Sequence, residues 1–424
     1  MPKPQELLER MFQAAVKAAQ PSQCVPAHVP QSPKGRTVVV GAGKASAAMA
    51  HALEQAWDGP LSGLVVTRTG YGIPTQRIEV VEASHPVPDQ AGVEASGRIL
   101  DLVSNLTSDD LVICLISGGG SALMSLPAPG ITLADKQDVT DALLRCGATI
   151  SEINTIRKHL SAIKGGQLAA ACHPAKVVAL VISDVAGDDL SVIASGATVA
   201  DPTTYADAEA IFAKYAIEIP PRVRQLLDMR PNETPKPGDP RLDNTENVLI
   251  ATPQMALDAA ARVAKEAGYA PFVVSDRLEG ETSDVASDHA DLVRQIRAGE
   301  HNIKPPAVVL SGGETTVTLG EDSGHGGPNA EFVLALGLAL DGVDGVYALA
   351  CDTDGIDGSE DNAGACLTPD TLDRARTLGL DARAHLDHHD AYSFFQTLGD
   401  LVMTGPTETN VNDFRAIIIE DASA

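Results

Sequence analysis

Apolar residues come in short runs along this chain, and most runs lead into a glycine turn and then an amphipathic stretch. Residues 37–56, TVVVGAGKASAAMAHALEQA, predict a strand, a glycine turn and a helix. GLVVTR (63–68) and IEVVEA (78–83) predict short strands, and residues 91–106 a helix. Residues 111–116, LVICLI, are apolar throughout, the mark of a strand buried on both faces. KVVALVISDVAGDD (176–189) is a further strand that ends in an acidic glycine turn. Helical spacing covers residues 5–20, 133–148 and 151–165. Strands alternating with helices imply an α/β fold, with a parallel sheet covered on both faces.

The segment 229–244, MRPNETPKPGDPRLDN, has no hydrophobic period and is rich in proline. It predicts a boundary between an α/β domain over 1–236 and a smaller one over 237–424. The strand and helix pattern restarts beyond it through NVLIATPQMALDAAARVAKEAG, PFVVSD, a helix from about 282 to 298 and PAVVLSGGET (306–315), and GVYALACDTDGIDG (345–358) and LGDLVMTGPTETNVNDFRAIII (398–419) complete the second domain. LVICLISGGGSA in the first half and AVVLSGGETT in the second both run from a buried strand into Ser-Gly-Gly. Two domains, each offering a glycine-rich strand end to a shared cleft, are therefore expected.

Composition narrows the chemistry. Of the 424 residues 44% are apolar but only 3% aromatic, so the core is built from Ala, Val, Leu and Ile. The formal net charge of −26 repels nucleic acid and anionic membranes, so neither is an expected partner. An anionic ligand would need a local basic pocket set against that field. The six cysteines show no CxxC or CxxH spacing, which argues against a zinc site or a disulfide framework; Cys114 and Cys351 fall inside strands as small core residues. No apolar signal core opens the chain and no stretch has the length of a membrane span, so a cytoplasmic protein is expected, with a homodimer compatible.

Candidate sites follow from the turns. Gly118, Gly119, Gly120 and Ser121, directly after a buried strand, can form a nest of N–H groups that attracts anions. Lys44 opens a helix after Gly41 and Gly43, where its charge opposes the helix dipole; it is either an anion ligand or a solvated lysine. A dinucleotide fingerprint is incomplete there, since Ser46 stands where a third glycine belongs, and the Walker A spacing is absent. Residues 154–166, NTIRKHLSAIKGG, form the one strongly basic stretch. Helical spacing would place Arg157 and Lys164 one heptad apart on nearly one face, as a clamp for carboxylate or phosphate, with Gly165 and Gly166 exposing further amides. Asp184 and Asp188, after a strand, suit Mg²⁺ or a proton. Asp352, Asp354 and Asp357 in DTDGIDG either bind a cation or shape a turn; Ala363 at the twelfth position rules out an EF-hand. Gly313, Glu314 and Thr315 in SGGET, Asn329 and Glu331 in GHGGPNAEF, and Thr404, Gly405, Thr407 and Asn410 in TGPTETN supply further contacts to phosphate, substrate or metal. His385, His388 and His389 read as surface residues.

GAGKAS, SGGGSALM, INTIRKHLSAIKGG, SDVAGDD, SGGET, GHGGPNAEF, DTDGIDG and TGPTETNV occur in this order. That series resembles the class II glycerate kinases, the glycerate 2-kinases with a C-terminal MOFRL domain, over nearly the whole chain. The resemblance implies a Rossmann-like N-terminal domain with a largely parallel sheet, a smaller MOFRL-type domain and an active site in the cleft. It implies transfer of a phosphoryl group from ATP to the 2-hydroxyl of D-glycerate with Mg²⁺. Lys44 and Asp184 match positions the family regards as functional. An arginine is expected where Pro328 stands, and a proline cannot stabilise phosphoryl charge. Some members carry the label hydroxypyruvate reductase. An NAD(P)H-dependent reductase and a non-catalytic sugar-acid-binding protein are therefore the rival expectations.

Overall fold

The computed structural model describes residues 3–231, 233–320 and 323–421. It divides into two units: Pro21–Ser183 with Asp188–Ile250, and Met1–Gln20 with Asp184–Gly187 and Ala251–Ala424. The first unit is built on a six-stranded sheet. Its strands are β1 (Thr37–Ala42), β2 (Ser62–Arg68), β3 (Ile78–Ala83), β4 (Leu111–Ile116), β5 (Lys176–Ile182) and β6 (Thr245–Ala251). Their order is β3-β2-β1-β4-β5-β6, and β3 through β5 pair in parallel. Every residue of β1 and β4 is buried, which is why both read as unbroken apolar runs. Cys114 lies in β4, and burial pushes its thiol well above the usual range, as expected of an inert core residue.

A second small core stands beside this sheet. Helices Leu133–Arg145, Ile150–His159, Tyr205–Lys214 and Pro221–Met229 pack Val139, Leu143, Ile153, Ile156, Phe212 and Leu226 against one another. Capping boxes at Thr132/Asp135, Thr149/Glu152 and Thr204/Asp207 start three of these helices. This cluster carries two of the cations described below.

The other unit contains β7 (Ala270–Leu278), β8 (Ala307–Gly313), β9 (Val346–Asp352), β10 (Gly364–Leu367), β11 (Leu401–Val402) and β12 (Asp413–Ile419). Their order is β11-β10-β9-β12-β8-β7. Only β7 and β8 pair in parallel; the other pairs are antiparallel. Cys351 is buried in β9, and burial raises its thiol as well. Among the described residues no helix is long and apolar enough to cross a membrane.

Besides Asp184–Gly187, which falls with the C-terminal unit, the division differs from the expected boundary between 236 and 237 in two ways. The proline-rich segment folds back onto the first unit. Thr234 Oγ1 donates to Asp201 Oδ2 at 2.9 Å, the Asp201 amide donates to the Pro235 carbonyl at 2.8 Å, and Glu233 meets His159 at 3.2 Å. Asn232 lies outside the described residues. β6 then joins the first sheet, so the change of unit comes at 250/251. The second difference is the helix Pro4–Ala19, which belongs with the C-terminal unit. Its apolar face buries Leu7, Leu8, Met11 and Phe12, and the Phe12 and Phe414 rings lie 5.8 Å apart. Amphipathicity marks such a face; it does not name the partner.

Phe12→Ala should therefore destabilise the C-terminal unit by about 3–5 kcal/mol. Hydrogen exchange followed by mass spectrometry should show faster exchange in β9 and β12 while β1 and β4 keep their protection. Faster exchange confined to β1 and β4 would contradict the assignment.

Candidate active site

The sheet order reverses between β1 and β4: β1 leads on to β2 on one side, and β4 to β5 on the other. Ligands of parallel α/β sheets bind outside the carboxyl ends of the strands at such a point. Both strands run there into turns that contain glycine, Gly43 after β1 and Gly118–Gly120 after β4. A Cβ on Gly41 would overlap the backbone of Leu115, and one on Gly43 would overlap Ser117 Oγ. Gly43 has φ +149°, a conformation that L side chains rarely adopt. The Lys44 amide donates to the Gly118 carbonyl at 2.8 Å, the Ala45 amide to Ser117 Oγ at 3.0 Å, and Thr67 Oγ1 to the Lys44 carbonyl at 3.2 Å. The backbone at Lys44 is thus held to both neighbouring strands. Its side chain runs past Gly119, where an added Cβ would meet Lys44 Cγ at 3.4 Å and the His85 ring at 3.0 Å. The expected amide nest is partly closed, because the Gly120 amide donates to the Ser117 carbonyl at 3.2 Å.

A cavity of about 560 Å³ opens beside this turn, lined by His85, Gly119, Ser121, Lys136, Arg157 and Lys164 among others. Lys164 is 1% exposed. Its Nζ donates to the Ser121 carbonyl at 2.8 Å and the Met124 carbonyl at 3.0 Å. Burial, then the charges of Lys136 and Arg157, hold its ammonium well below the usual lysine range. Lys136 is 7% exposed, and its Nζ meets Ser125 Oγ at 3.3 Å. Burial, aided by the Arg157 charge, pushes it down to about 7. Burial lowers Arg157 as well. Among the described residues none of these three makes an ion pair with a carboxylate. Buried charges are ordinarily paired, so a cavity with three unpaired cations is built for an anion from outside the chain.

The route to this cluster differs from the heptad expected. The helix carrying Arg157 ends at His159, with Leu160 as its cap. Lys164 comes from the turn after it, held by Ala162 N to Leu126 O at 3.0 Å and by Ser161 Oγ to Leu126 O at 3.0 Å. Lys158 turns away to Asp201 at 3.4 Å, and His159 to Glu233. The Gly165 and Gly166 amides are committed to the Ser195 and Gly196 carbonyls at 3.1 and 2.7 Å, so Gly165 offers no amide to phosphate. Ser121 Oγ lies 2.8 Å from Ser195 Oγ, which donates to Asn154 Oδ1 at 3.1 Å. Lys136 was not singled out from the sequence. Its signal is a lysine in register with Val139 and Leu143 on the buried stripe of its helix.

Several candidates of the C-terminal unit take part in hydrogen bonds within it. Asn329 is fully buried, its Nδ2 donating to Asp357 Oδ1 at 3.2 Å and Asp413 Oδ1 at 2.7 Å. Thr315 Oγ1 accepts from Arg415 Nη2 at 2.9 Å and from Thr282 Oγ1 at 3.0 Å, inside the same buried network. Gly313 is a glycine because a Cβ would overlap the backbone of Leu278. Glu314 is exposed, at the end of β8. Glu331 is buried, which raises its carboxyl, and pairs with His389 at 3.0 Å, so His389 is not a bare surface histidine. Asp352 Oδ1 accepts from the Asp354 amide at 2.8 Å, and Asp354 Oδ1 from the Ile356 amide at 2.9 Å. Both carboxylates thus shape the turn that follows β9. Thr404 and Thr407 donate their hydroxyls to the Gly405 and Thr353 carbonyls, leaving no hydroxyl proton for phosphate; Gly405, at φ +67°, forms part of the same turn.

Asp184 keeps a distinct setting. Asn410 Nδ2 donates to its Oδ2 at 3.1 Å, and Asn412 Nδ2 to its carbonyl at 2.8 Å. Asp188, four residues on, has φ +56°, and its Oδ1 is buried with no hydrogen-bond partner among the described residues. Among the described residues no group of three or more His, Cys, Asp or Glu side chains is placed to hold a metal ion. Pro328 occupies the first turn of the helix Pro328–Leu340, where a missing N–H costs nothing.

Residues 7–228 match DUF4147, described as a domain of unknown function, and residues 307–413 match the MOFRL family. A glycerate 2-kinase from Pyrococcus horikoshii is 39% identical over 97% of this chain and 96% of its own length. The crystal structure of the glycerate kinase from Thermotoga maritima superposes with a TM-score of 0.90 at 38% identity, covering 98% of this chain and 99% of that one. A relative from Agrobacterium vitis, 54% identical over 98% of this chain and 94% of its own length, carries a provisional name, hydroxypyruvate reductase.

The role given to Asp357 is testable. Its carboxylate accepts from the Asn329 and Ala330 amides at 2.9 and 2.8 Å, capping the Pro328–Leu340 helix, while burial pushes it up to about 7. Asp357→Ala leaves two buried amides without an acceptor and should cost on the order of 2–4 kcal/mol in denaturant unfolding. A cost within measurement error would show that the cap is dispensable.

Proposed function

We infer the activity from one premise: this chain belongs to the glycerate kinase family, with its DUF4147 and MOFRL parts in order. On that premise it transfers the γ-phosphoryl group of ATP to the 2-hydroxyl of D-glycerate, giving 2-phospho-D-glycerate and ADP. The observation that carries the reading is the cavity that brings two buried lysines, Lys136 and Lys164, together with the half-buried Arg157, with no carboxylate partner among the described residues, beside the β1 and β4 turns. Phosphoryl transfer asks chiefly for positioning and for neutralised charge, and an array of preorganised cations supplies both.

In this reading Lys44 and the Gly119–Ser121 turn lie against the anionic oxygens, and Arg157 and Lys164 hold them from the cavity wall. The glycerate hydroxyl oxygen forms the new bond to Pγ as the bond from Pγ to the bridging oxygen breaks, and ADP leaves with that electron pair. The hydroxyl proton goes to Asp184, whose carboxylate is oriented by Asn410. A carboxylate oxygen that is buried without a donor, as Asp188 Oδ1 is, suits a cation. Asp188 would hold Mg²⁺, which supplies neutralisation of phosphate charge when bound. Arg157 and Lys164 cover the charge that an arginine at position 328 would have met.

The reductase reading is weaker. Where a dinucleotide fingerprint needs its third glycine, Ser46 is fully buried, and its hydroxyl donates to the Leu115 carbonyl at 3.2 Å. One pair of assays separates the two. With D-glycerate, ATP and Mg²⁺ the chain should form ADP, and phosphorus NMR should identify the 2-phosphate. With hydroxypyruvate and NADH it should oxidise no cofactor. NADH oxidation without ADP formation would overturn the kinase. Lys44→Ala should lower turnover by about tenfold or more with an unchanged unfolding midpoint; wild-type turnover would remove Lys44 from the site.

A further inference from the structure

Lys136 sits deeper in the logic of the cavity than its sequence suggests. Three cations face one another here: Lys136 from the helix Leu133–Arg145, Arg157 from the helix Ile150–His159, and Lys164 from the turn beyond it. The other charged or titratable groups on the cavity wall are His85, Asp138 and Asp141. Both aspartates are exposed, and Asp141 is 3.6 Å from Arg145. Among the described residues neither makes an ion pair with Lys136, Arg157 or Lys164.

The hydrogen bonds of Lys164 fit a particular protonation state. A neutral amine has two N–H groups, and the Ser121 and Met124 carbonyls accept two. Protonation would add a third donor, for which the surroundings supply no further acceptor among the described residues. An anion in the cavity provides that acceptor and stabilises the added charge. Lys136 follows the same logic with a single hydroxyl partner, Ser125. A single carboxylate carries one negative charge and leaves this trio largely unbalanced. A phosphate group, with two charges and three terminal oxygens, matches it.

We propose that Lys136, Arg157 and Lys164 form a phosphate subsite that takes up a proton as it fills, with Lys136 setting its preference for phosphate over carboxylate. The inference rests on the kinase reading for the source of that phosphate: the nucleotide or the phosphorylated three-carbon product. The direction of the pH dependence follows. In the empty cavity burial and mutual repulsion hold the lysines low, Lys136 at about 7. A bound anion raises them, so above pH 7 binding draws a proton from solvent, and affinity falls as pH rises.

Isothermal titration calorimetry on the full chain tests this with ADP, 2-phospho-D-glycerate and D-glycerate as separate ligands. Each is titrated in two buffers of different ionisation enthalpy at about pH 8, above the second ionisation of a phosphate ester. At least one phosphorylated ligand should show a buffer-dependent enthalpy that reports proton uptake, and the one that does identifies the source. Lys136→Met, which keeps the buried volume, should weaken that ligand by about tenfold and reduce the uptake, with D-glycerate affinity unchanged. Enthalpies independent of buffer for both phosphorylated ligands would overturn the proposal, as would a Lys136→Met variant that weakens D-glycerate alone. Should the variant fail to fold, the buffer comparison on the wild type still decides. ADP formation from D-glycerate and ATP without any proton uptake refutes the subsite and leaves the kinase standing. Uptake without turnover does the reverse.

Discussion

Two buried lysines and a half-buried arginine, gathered in one cavity with no carboxylate partner among the described residues, are the constraint on which the first unit depends. Each loses hydration on burial, and each repels the other two. The fold holds them in place nonetheless. The cluster of four helices fixes Lys136 and Arg157 through packing that does not involve their charges. The turn after β4 supplies the two carbonyls that hold Lys164. In a chain of net charge −26 such a cavity is also the local exception to a repulsive field, the condition any anionic substrate must meet here.

The second unit spends its buried polar groups differently. Asp357, Asn329, Asp413, Arg415 and Thr315 bond one another inside the protein, and Asp357 caps a helix. Motifs rich in Gly, Asp and Thr there resemble ligand loops because they solve a related problem, that of satisfying backbone amides at a crowded sheet end. The two Ser-Gly-Gly strand ends are alike in sequence and unlike in use. Ser117 braces the Lys44 turn, whereas Ser311 bonds buried His289.

The strands, the glycine turns and the parallel sheet of the first unit were legible because each is written locally: unbroken apolar runs, then glycine where a Cβ would overlap a neighbouring backbone. Lys44 was legible as a cation beside glycine, and Arg157 and Lys164 as members of the one strongly basic stretch. Lys136 was not, since LADKQDVTDALLR reads as an ordinary charged helix until the buried stripe is traced through Val139 and Leu143. The commitment of the Gly165 amide to Ser195, the turn-shaping role of Asp352 and Asp354, and the place of the first helix beside Phe414 all depend on partners distant in sequence. No local pattern encodes them. The arginine expected at 328 was a reading from resemblance; the proline there fits its helix start, and the cations lie elsewhere in the chain.

The most direct measurement is a crystal structure of the chain grown with ADP, Mg²⁺ and D-glycerate. The account predicts phosphate oxygens within hydrogen-bonding distance of Lys164 Nζ and the Arg157 guanidinium, in the cavity beside Gly119. Phosphate density bound elsewhere, with only water against these cations, would contradict it.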